Sequence, residues 1–542
     1  MIKKIFCLLM CISMLFLFSA CGDAGIDANI YFPIDNDPGY LDPQVISDHG
    51  AKNIIANCFE GLVTIDAEGK IAPGCAESWE ISKDSLTYTF NLRKDCKWAI
   101  MSASGAFLGE NFREEFDSRV TAHDFVFAFR RALKPETLSP GAKNLFSIKN
   151  AQLVNEGKLP ASKLGVRALD DYTLSITLTQ VDPDFLYVLL EPQCMPCNEK
   201  FFEATGGRYG LSTRFLMYNG PFYMSNWADD TSITLMKNDD YYDYENVKPY
   251  SLYFSINSEQ SSRLDKIYEE IYDVAPLTSE QADKISAKRG YTTYSFENGV
   301  YCLAFNCNDK QLGNADLRKA IALSFDTETL HTFLGESNIN GIIPSSMLIS
   351  GTKYREVAGS MKINIKGNAV SYFNKGLEAL DEDRIELTVL CPEEHEEAMR
   401  NVMQKWQATL GVKFNVLIEV LSAAEIKNRM SDPDSWQLAL TDIAFPHLTA
   451  FNGLLQFTSD SAENILGFND KSFDKLVASV KTASGFKTSI TATEKAEQYL
   501  LDSCVLIPLY NSPTYYGLGK GVENVKFNTT GDIVYFRDTV VK

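Results

Sequence analysis

Residues 385–420 read IELTVLCPEEHEEAMRNVMQKWQATLGVKFNVLIEV. Ile385, Leu387 and Val389 alternate with polar residues, which predicts a β-strand. The next apolar residues recur at the spacing of one helix face: Met399, Val402, Met403, Trp406 and Leu410. Gly411 ends this helix, and a second alternation follows at Val412, Phe414, Val416 and Ile418. Strand, helix and strand in this order predict a βαβ unit with a right-handed crossover, so the fold contains parallel strands.

Earlier segments show the same mixture of strands and helices. Apolar residues at every second position predict two strands, one over 86–92 and one over 172–178. Between them, Thr121 and Asp124 have the spacing of a capping box, which predicts a helix that ends before Pro135. A further helix is predicted over 494–501, directly before Val505-Leu-Ile-Pro508. The chain is therefore predicted to be an α/β protein.

The N-terminus has the composition of a secretory signal. Lys3 and Lys4 precede an apolar run from Ile5 to Phe18, and Ser19-Ala20-Cys21-Gly22 follows. This ending resembles a bacterial lipobox, with Phe18 where leucine is usual. The resemblance implies a signal peptide over 1–20 and a lipidated Cys21 that begins a short tether over 21–30. The alternative is cleavage by an ordinary signal peptidase.

Composition and charge exclude several classes of protein. The 542 residues are 45% hydrophobic and 23% charged, which is typical of a globular protein. The formal net charge of -20 would repel phosphate backbones, so we expect no nucleic-acid partner. After the predicted signal, no run is long and apolar enough to span a membrane.

The sequence contains no motif for catalysis or cofactor binding. It lacks G-x-x-x-x-G-K-[ST], H-E-x-x-H and G-x-S-x-G, and its five histidines form no local ligand pair. The acidic run Glu393–Glu397 around His395 is interpreted as a solvated helix start. Cys194 and Cys197 have redox or zinc spacing, but no second pair follows, so we expect buried structural thiols. We predict no enzyme, no metal and no cofactor.

A series of motifs in fixed order resembles the extracellular solute-binding proteins of oligopeptide ABC importers, the peptide and nickel class. The series covers nearly the whole chain after the signal, and it is specific for the family but less so for the ligand. Its parts are Leu41-Asp42-Pro43, Phe59-Glu60-Gly61-Leu62, Pro73 to Trp79, Leu86 to Phe90, Lys97-Trp98, Val120 to Phe125 with Arg130-Arg131-Ala132, Asn219 to Phe222, Tyr241-Tyr242-Asp243, Leu317 to Ile321, Leu506-Ile-Pro508 and Asn528 to Asp532.

The resemblance implies a two-lobed periplasmic-binding-protein-like α/β fold with a ligand cleft between the lobes. By analogy, lobe I comprises residues 27–55, 190–295 and 508–542. An additional subdomain over 56–189 is inserted into lobe I, and lobe II comprises 296–507. One segment departs from the family: residues 99–119 replace what is usually a short turn. Their acidic and basic residues predict a solvated loop or short helix.

The resemblance also implies a site for the amine of a bound peptide. The family has an acid in a segment similar to Trp-x-Ala-Asp-Tyr-x-x-Pro, and the matching residues here are Ala439 to Pro446, with Asp442 in the place of the acid. An ammonium enclosed between lobes needs such a carboxylate. The alternative interpretation is a surface or turn aspartate. The family's arginine for a peptide C-terminus has no counterpart here, because Trp436 and Gln437 stand before Asp442.

Other cleft residues follow from the same resemblance. Ser47, Asp48 and His49 lie where the family's first lobe meets the peptide backbone, and Tyr301 lies at the crossover between lobes. Ordinary packing is the alternative for His49 and Tyr301. The strand Leu438, Ala439 and Leu440 is expected to offer main-chain groups, since an extended peptide can be held by strand-like hydrogen bonds.

The predicted function is peptide capture for import. The protein would be a monomeric lipoprotein on the extracytoplasmic face of the cell membrane that binds oligopeptides and delivers them to ABC permease and ATPase subunits. One alternative is a binding protein for a non-peptide solute such as a nickel chelate, which the few histidines do not support. The other is a surface hydrolase or receptor that reuses the fold.

Overall fold

The computed structural model describes residues 28–101, 116–325, 339, 341–483 and 485–542. The predicted signal peptide, Cys21 and most of the predicted 99–119 loop lie outside this part of the chain. Its α-helices are α1 (His49–Cys58), α2 (Ala122–Ala132), α3 (Ala151–Asn155), α4 (Phe185–Val188), α5 (Glu199–Ala204), α6 (Arg263–Tyr268), α7 (Ser279–Ser286), α8 (Ala315–Ser324), α9 (Tyr354–Val357), α10 (Ala369–Leu380), α11 (Glu396–Leu410), α12 (Ala423–Met430), α13 (Ala450–Leu455), α14 (Lys471–Thr482) and α15 (Phe486–Asp502).

The strands form three larger sheets and four two-stranded ones. Numbered along the chain, they are β1 (Asn29–Pro33), β2 (Val63–Ile65), β3 (Ile71–Pro73), β4 (Ala76–Ile81), β5 (Thr87–Leu92), β6 (Val166–Asp170), β7 (Thr173–Thr177), β8 (Phe222–Ala228), β9 (Ser232–Lys237), β10 (Ser251–Ser255), β11 (Val274–Leu277), β12 (Thr292–Phe305), β13 (Leu348–Ile349), β14 (Thr352–Lys353), β15 (Ile385–Cys391), β16 (Phe414–Val420), β17 (Leu438–Ala444), β18 (Leu506–Leu518), β19 (Val522–Glu523), β20 (Lys526–Phe527), β21 (Val534–Tyr535) and β22 (Val540–Val541). The larger sheets have the orders β1-β10-β9-β8, β4-β5-β7-β6 and β11-β18-β12-β17-β15-β16.

The predicted βαβ unit is confirmed. β15 and β16 pair in parallel from Ile385 opposite Phe414 to Cys391 opposite Val420, and α11 connects them. Gly411 ends the helix with a φ of 80°, a left-handed conformation that glycine adopts without strain. Val412 is the exception to the expected alternation, since it is 91% exposed and β16 begins two residues later.

Two long strands connect the lobes. β12 and β18 pair antiparallel along their length, with register shifts between Glu297 and Val300 and between Tyr301 and Cys302. The predicted boundaries at 295/296 and 507/508 fall inside these strands. The lobes are therefore connected by two hydrogen-bonded strands. The exact boundaries between lobe I and lobe II stay a prediction.

Apolar side chains cover both faces of the six-stranded sheet. On one face, Leu303, Leu387 and Leu440 pack with α8, α10 and α11, and on the other Val300, Ala439 and Ile443 pack with α13, α14 and α15. Because both faces are buried, the strands of this part of the sheet are rich in apolar residues. This sheet provides the rigid frame of lobe II.

The predicted strands and helix of the inserted subdomain are also confirmed. β5 alternates between buried and half-buried residues and pairs with β7. At the start of α2, the Asp124 carboxylate accepts hydrogen bonds from the Thr121 N–H (2.7 Å) and hydroxyl (3.1 Å). Burial raises the pKa of Asp124 to about 6, although these hydrogen bonds oppose the shift.

Helix α1 is fastened to the C-terminal region by two buried asparagines. The Asn53 side chain accepts a hydrogen bond from the Val534 N–H (2.7 Å), and the Asn57 side chain accepts one from the Phe536 N–H (2.9 Å). The Asn57 amide also donates to the Val534 carbonyl (2.8 Å). Segments separated by 477 to 481 residues are thus packed together.

The described cysteines are free thiols. Cys194 and Cys197 are fully buried, and burial raises the pKa of Cys197 to about 12. A thiol protonated in this way is unreactive, in keeping with the structural role expected for this pair. Within the described ranges, no helix is both long and apolar enough to span a bilayer.

Candidate peptide-binding site

Asp442 lies on β17 at the end of lobe II that faces the crossing strands. It is opposite Tyr301 of β12, and the side chains of opposed residues share one face of the sheet. The Phe445 N–H donates to the Asn298 carbonyl (2.8 Å) and the Asn306 N–H to the Gln437 carbonyl (2.9 Å). Since alternate residues of an antiparallel ladder direct their backbone groups to opposite sides, those of Leu440 and Asp442 face away from β12.

The side of β17 that faces away from β12 has no strand partner at Asp442. Among the described residues, β15 pairs with β17 at Leu438 and Ala439, and β15 then ends at Cys391. The next residue, Pro392, has no N–H to donate. Leu440 is fully buried, whereas Asp442 is partly exposed, so the accessible part of this edge begins at Asp442.

The expected main-chain role of Leu438, Ala439 and Leu440 stays a prediction. Leu438 and Ala439 are paired with β12 on one side and with β15 on the other, and both residues are fully buried. A strand in the middle of a sheet uses its backbone groups in such pairing. Leu440 has no partner strand on the side of β15, but it is also fully buried.

The Asp442 carboxylate has an internal partner. Lys427 of α12 places its Nζ atom 3.1 Å from Oδ2 of Asp442, and the two side chains are 58% and 31% exposed. Lys427 could not be identified from the sequence, because it lies on the polar face of a helix that only the tertiary fold brings to β17.

Aromatic side chains line the sheet beside Asp442. Tyr301 stacks on Tyr510 of β18 with ring centroids 4.6 Å apart, and its hydroxyl is 2.6 Å from Nδ1 of His395. Burial raises the pKa of Tyr301, and burial lowers the pKa of His395. Tyr301 thus lies beside the crossing as expected, where it is buried. The acidic run 393–397 is a helix start, as interpreted from the sequence. Its histidine, His395, lies beside Tyr301.

The predicted lobe I residues lie at the start of α1. Asp48 caps the helix by accepting a hydrogen bond from the Ala51 N–H (2.8 Å), so its carboxylate is in part occupied. Nε2 of His49 is 3.3 Å from Oδ1 of Asp532, and Ser47 is exposed. Among the described residues, the hydrogen bonds and ion pairs of Asp48 and His49 lie within lobe I, and none joins them to Asp442.

A buried charge cluster joins the lobes near His49. Nζ of Lys52 is 3.9 Å from Oδ2 of Asp532, and its pKa is also influenced by Glu191 of lobe I and Glu463 of lobe II. In lobe II, Nε2 of His447 is 2.8 Å from Oε2 of Glu463. Burial alone would lower the pKa of Lys52, but the carboxylates outweigh it and the pKa is raised. These residues were not found from sequence because four separate segments contribute them.

The inserted subdomain also contacts lobe II directly. Oδ1 of Asp184 accepts a hydrogen bond from the Gly351 N–H (2.9 Å). Nζ of Lys143 donates to the Asp460 carbonyl (2.6 Å) and is 3.1 Å from its carboxylate. Burial raises the pKa of Asp184 to about 6. The two sides of the cleft are therefore held together at several points.

Comparison with known proteins identifies the family. Residues 70–464 match the sequence profile of the bacterial extracellular solute-binding proteins, family 5 Middle. The chain belongs to this family. It is 28% identical over 564 residues to the oligopeptide-binding protein OppA of Bacillus subtilis, with 97% of each chain covered. It is 27% identical over 495 residues to the dipeptide-binding protein DppE of the same organism, covering 89% of this chain and 86% of the relative.

The fold of this family member matches a solved structure of a relative. The substrate-binding domain of an oligopeptide ABC transporter from Bacillus anthracis aligns with a TM-score of 0.75 at 27% identity, covering 95% of this chain and 98% of that one. The predicted two-lobed α/β fold is confirmed by this agreement. As a member of an extracellular solute-binding family, the protein acts outside the cytoplasm.

Proposed function

We propose that this protein captures oligopeptides between its lobes and delivers them to the permease and ATPase subunits of an ABC importer. The names of its relatives, oligopeptide- and dipeptide-binding proteins, support this function. The observation that carries it is the partly exposed Asp442 at the end of β17 that β15 leaves unpaired, where an extended ligand could meet main-chain groups and a carboxylate for its amine. The role of the protein is binding, without catalysis.

In this proposal Asp442 binds the α-amine of the peptide. The ligand adds to β17 from Asp442 onward, with Tyr301 and Tyr510 beside its first residue. Ser47 and His49 face the ligand from lobe I. Closure of the lobes removes water from the amine, which strengthens its interaction with the carboxylate.

The amine contact is tested by calorimetry with Asp442→Ala. Removing one partner of an enclosed charge pair costs on the order of 2 to 5 kcal/mol, or roughly 30-fold to several-thousand-fold in affinity. A peptide with a free amine should lose at least roughly 30-fold in affinity on this substitution. Its N-acetylated form should bind the wild type poorly, and the substitution should reduce its affinity little further. The four measurements form a double-mutant cycle. Equal losses for the two peptides would exclude Asp442 as the amine site.

We further propose that Cys21 is lipidated and anchors the protein to the outer face of the cell membrane. Two acyl chains on the cysteine would hold the protein there, where one chain binds only reversibly. We expect Cys21→Ser to move the protein from the membrane fraction to the soluble fraction. Retention of an intact Cys21→Ser protein in the membrane fraction would contradict the anchor.

A nickel chelate or another non-peptide solute is the weaker candidate. Over the part of the chain that the structure describes, no three side chains of His, Cys, Asp or Glu come together in a way that could hold a metal ion. Native mass spectrometry of the purified protein distinguishes the candidates, because the mass of a retained ligand identifies its class. A peptide mass supports the first proposal, and a metal chelate supports the second.

A further inference from the structure

The contact between Lys427 and Asp442 occupies the position proposed for the ligand amine. Lys427 lies in α12, which begins with a capping box between Ser422 and Glu425 and buries Ile426 and Met430 against lobe II. This anchoring holds the Lys427 stem beside β17. Its ammonium, 3.1 Å from the Asp442 carboxylate, is therefore placed where a peptide amine would bind.

Two ammonium groups then compete for one carboxylate. A peptide amine that reaches Asp442 displaces Lys427 or lies beside it, and like charges repel each other. Among the described residues, Asp442 is the one acid within ion-pair distance of Lys427. The displaced ammonium lacks a carboxylate partner unless the ligand supplies one.

We propose that Lys427 binds a carboxylate of the ligand while Asp442 binds its α-amine. This inference rests on the proposed function. Because the two protein charges are neighbours, the two ligand charges must also be neighbours. In an extended peptide the side chain of the second residue points to the opposite face, and the third lies about 7 Å further along. The carboxylate therefore belongs to the first residue, and the site selects peptides that begin with aspartate or glutamate.

The test compares two peptides of nearly equal shape, Glu-Ala-Ala-Ala and Gln-Ala-Ala-Ala, by calorimetry. The wild type should bind the glutamate peptide about threefold to fivefold more tightly, since the charged side chain gains an ion pair with the partly exposed Lys427. In Lys427→Gln this preference should disappear, because the glutamate peptide loses affinity and the glutamine peptide gains it. Opposite changes for the two peptides are not produced by a general loss of structure.

Two further variants serve as controls. Lys427→Arg keeps the charge and should keep the preference for glutamate. Lys310 is matched to Lys427, since it is an exposed lysine of lobe II paired with an acid, Glu382, at 2.8 Å. Lys310→Gln should bind both peptides as the wild type does.

Equal binding of the two peptides by the wild type, or an unchanged preference in Lys427→Gln, would refute the inference and leave peptide binding intact. If neither these peptides nor a pool of mixed tetrapeptides binds, the proposed function is refuted and the inference falls with it.

Discussion

Glu497 shows how one buried carboxylate holds distant segments of lobe II together. It is fully buried in α15, where Oε1 accepts hydrogen bonds from the Ile342 N–H (2.7 Å) and the Ile343 N–H (3.0 Å). Oε2 accepts one from the Tyr354 hydroxyl (3.0 Å), and Arg355 forms an ion pair with the same carboxylate. Glu497 therefore fastens the segment 341–355 to the helix.

Glu497→Ala should destabilise the protein strongly. Breaking a buried ion pair by removing one partner costs about 3 to 5 kcal/mol, because the remaining charge is buried without a counter-charge. We expect the midpoint of urea denaturation to fall accordingly. Glu494 lies one turn earlier on α15 and is partly exposed, so Glu494→Ala is the control and should change stability little. Equal effects of the two variants would mean that the Arg355 pair does not stabilise the fold.

At the scale of single residues, the sequence identified the place of Asp442 but not its environment. The resemblance assigned the amine site to Asp442 in a segment near the end of lobe II, and the structure places this residue on β17 opposite Tyr301. Lys427 and His395 could not be found, because each is close to the site only after its helix has packed. A local pattern of charged residues on a helix has no information about which strand the helix will meet.

At the scale of elements, prediction succeeded where periodicity decides the structure. The βαβ unit over 385–420 and helix α2 were predicted because burial of one face imposes a repeat on the sequence. Pairing between distant strands leaves no such repeat. The pairing of Leu438 and Ala439 with β15 could not be predicted for this reason, since β15 lies about fifty residues earlier in the chain.

At the scale of the whole molecule, ligand binding should bring the lobes together. The contacts between Asp184 and Gly351 and between Lys143 and Asp460 form only when the inserted subdomain meets lobe II. Without ligand, the charges of the cleft are better solvated when the lobes separate. Small-angle scattering should therefore give a smaller radius of gyration with a saturating peptide than without it. An unchanged radius at saturation would argue against a ligand site between the lobes.

The fastening of α1 has a consequence for the order in which the protein can be made. The partners of Asn53 and Asn57 lie 477 to 481 residues later in the chain, so they are synthesised long after α1. Until those residues exist, burying the two amides would leave them without hydrogen bonds, which is costly. The packing of α1 against β21 therefore cannot be completed before residue 536 has been made, and the early segments must wait for it in an incompletely packed state.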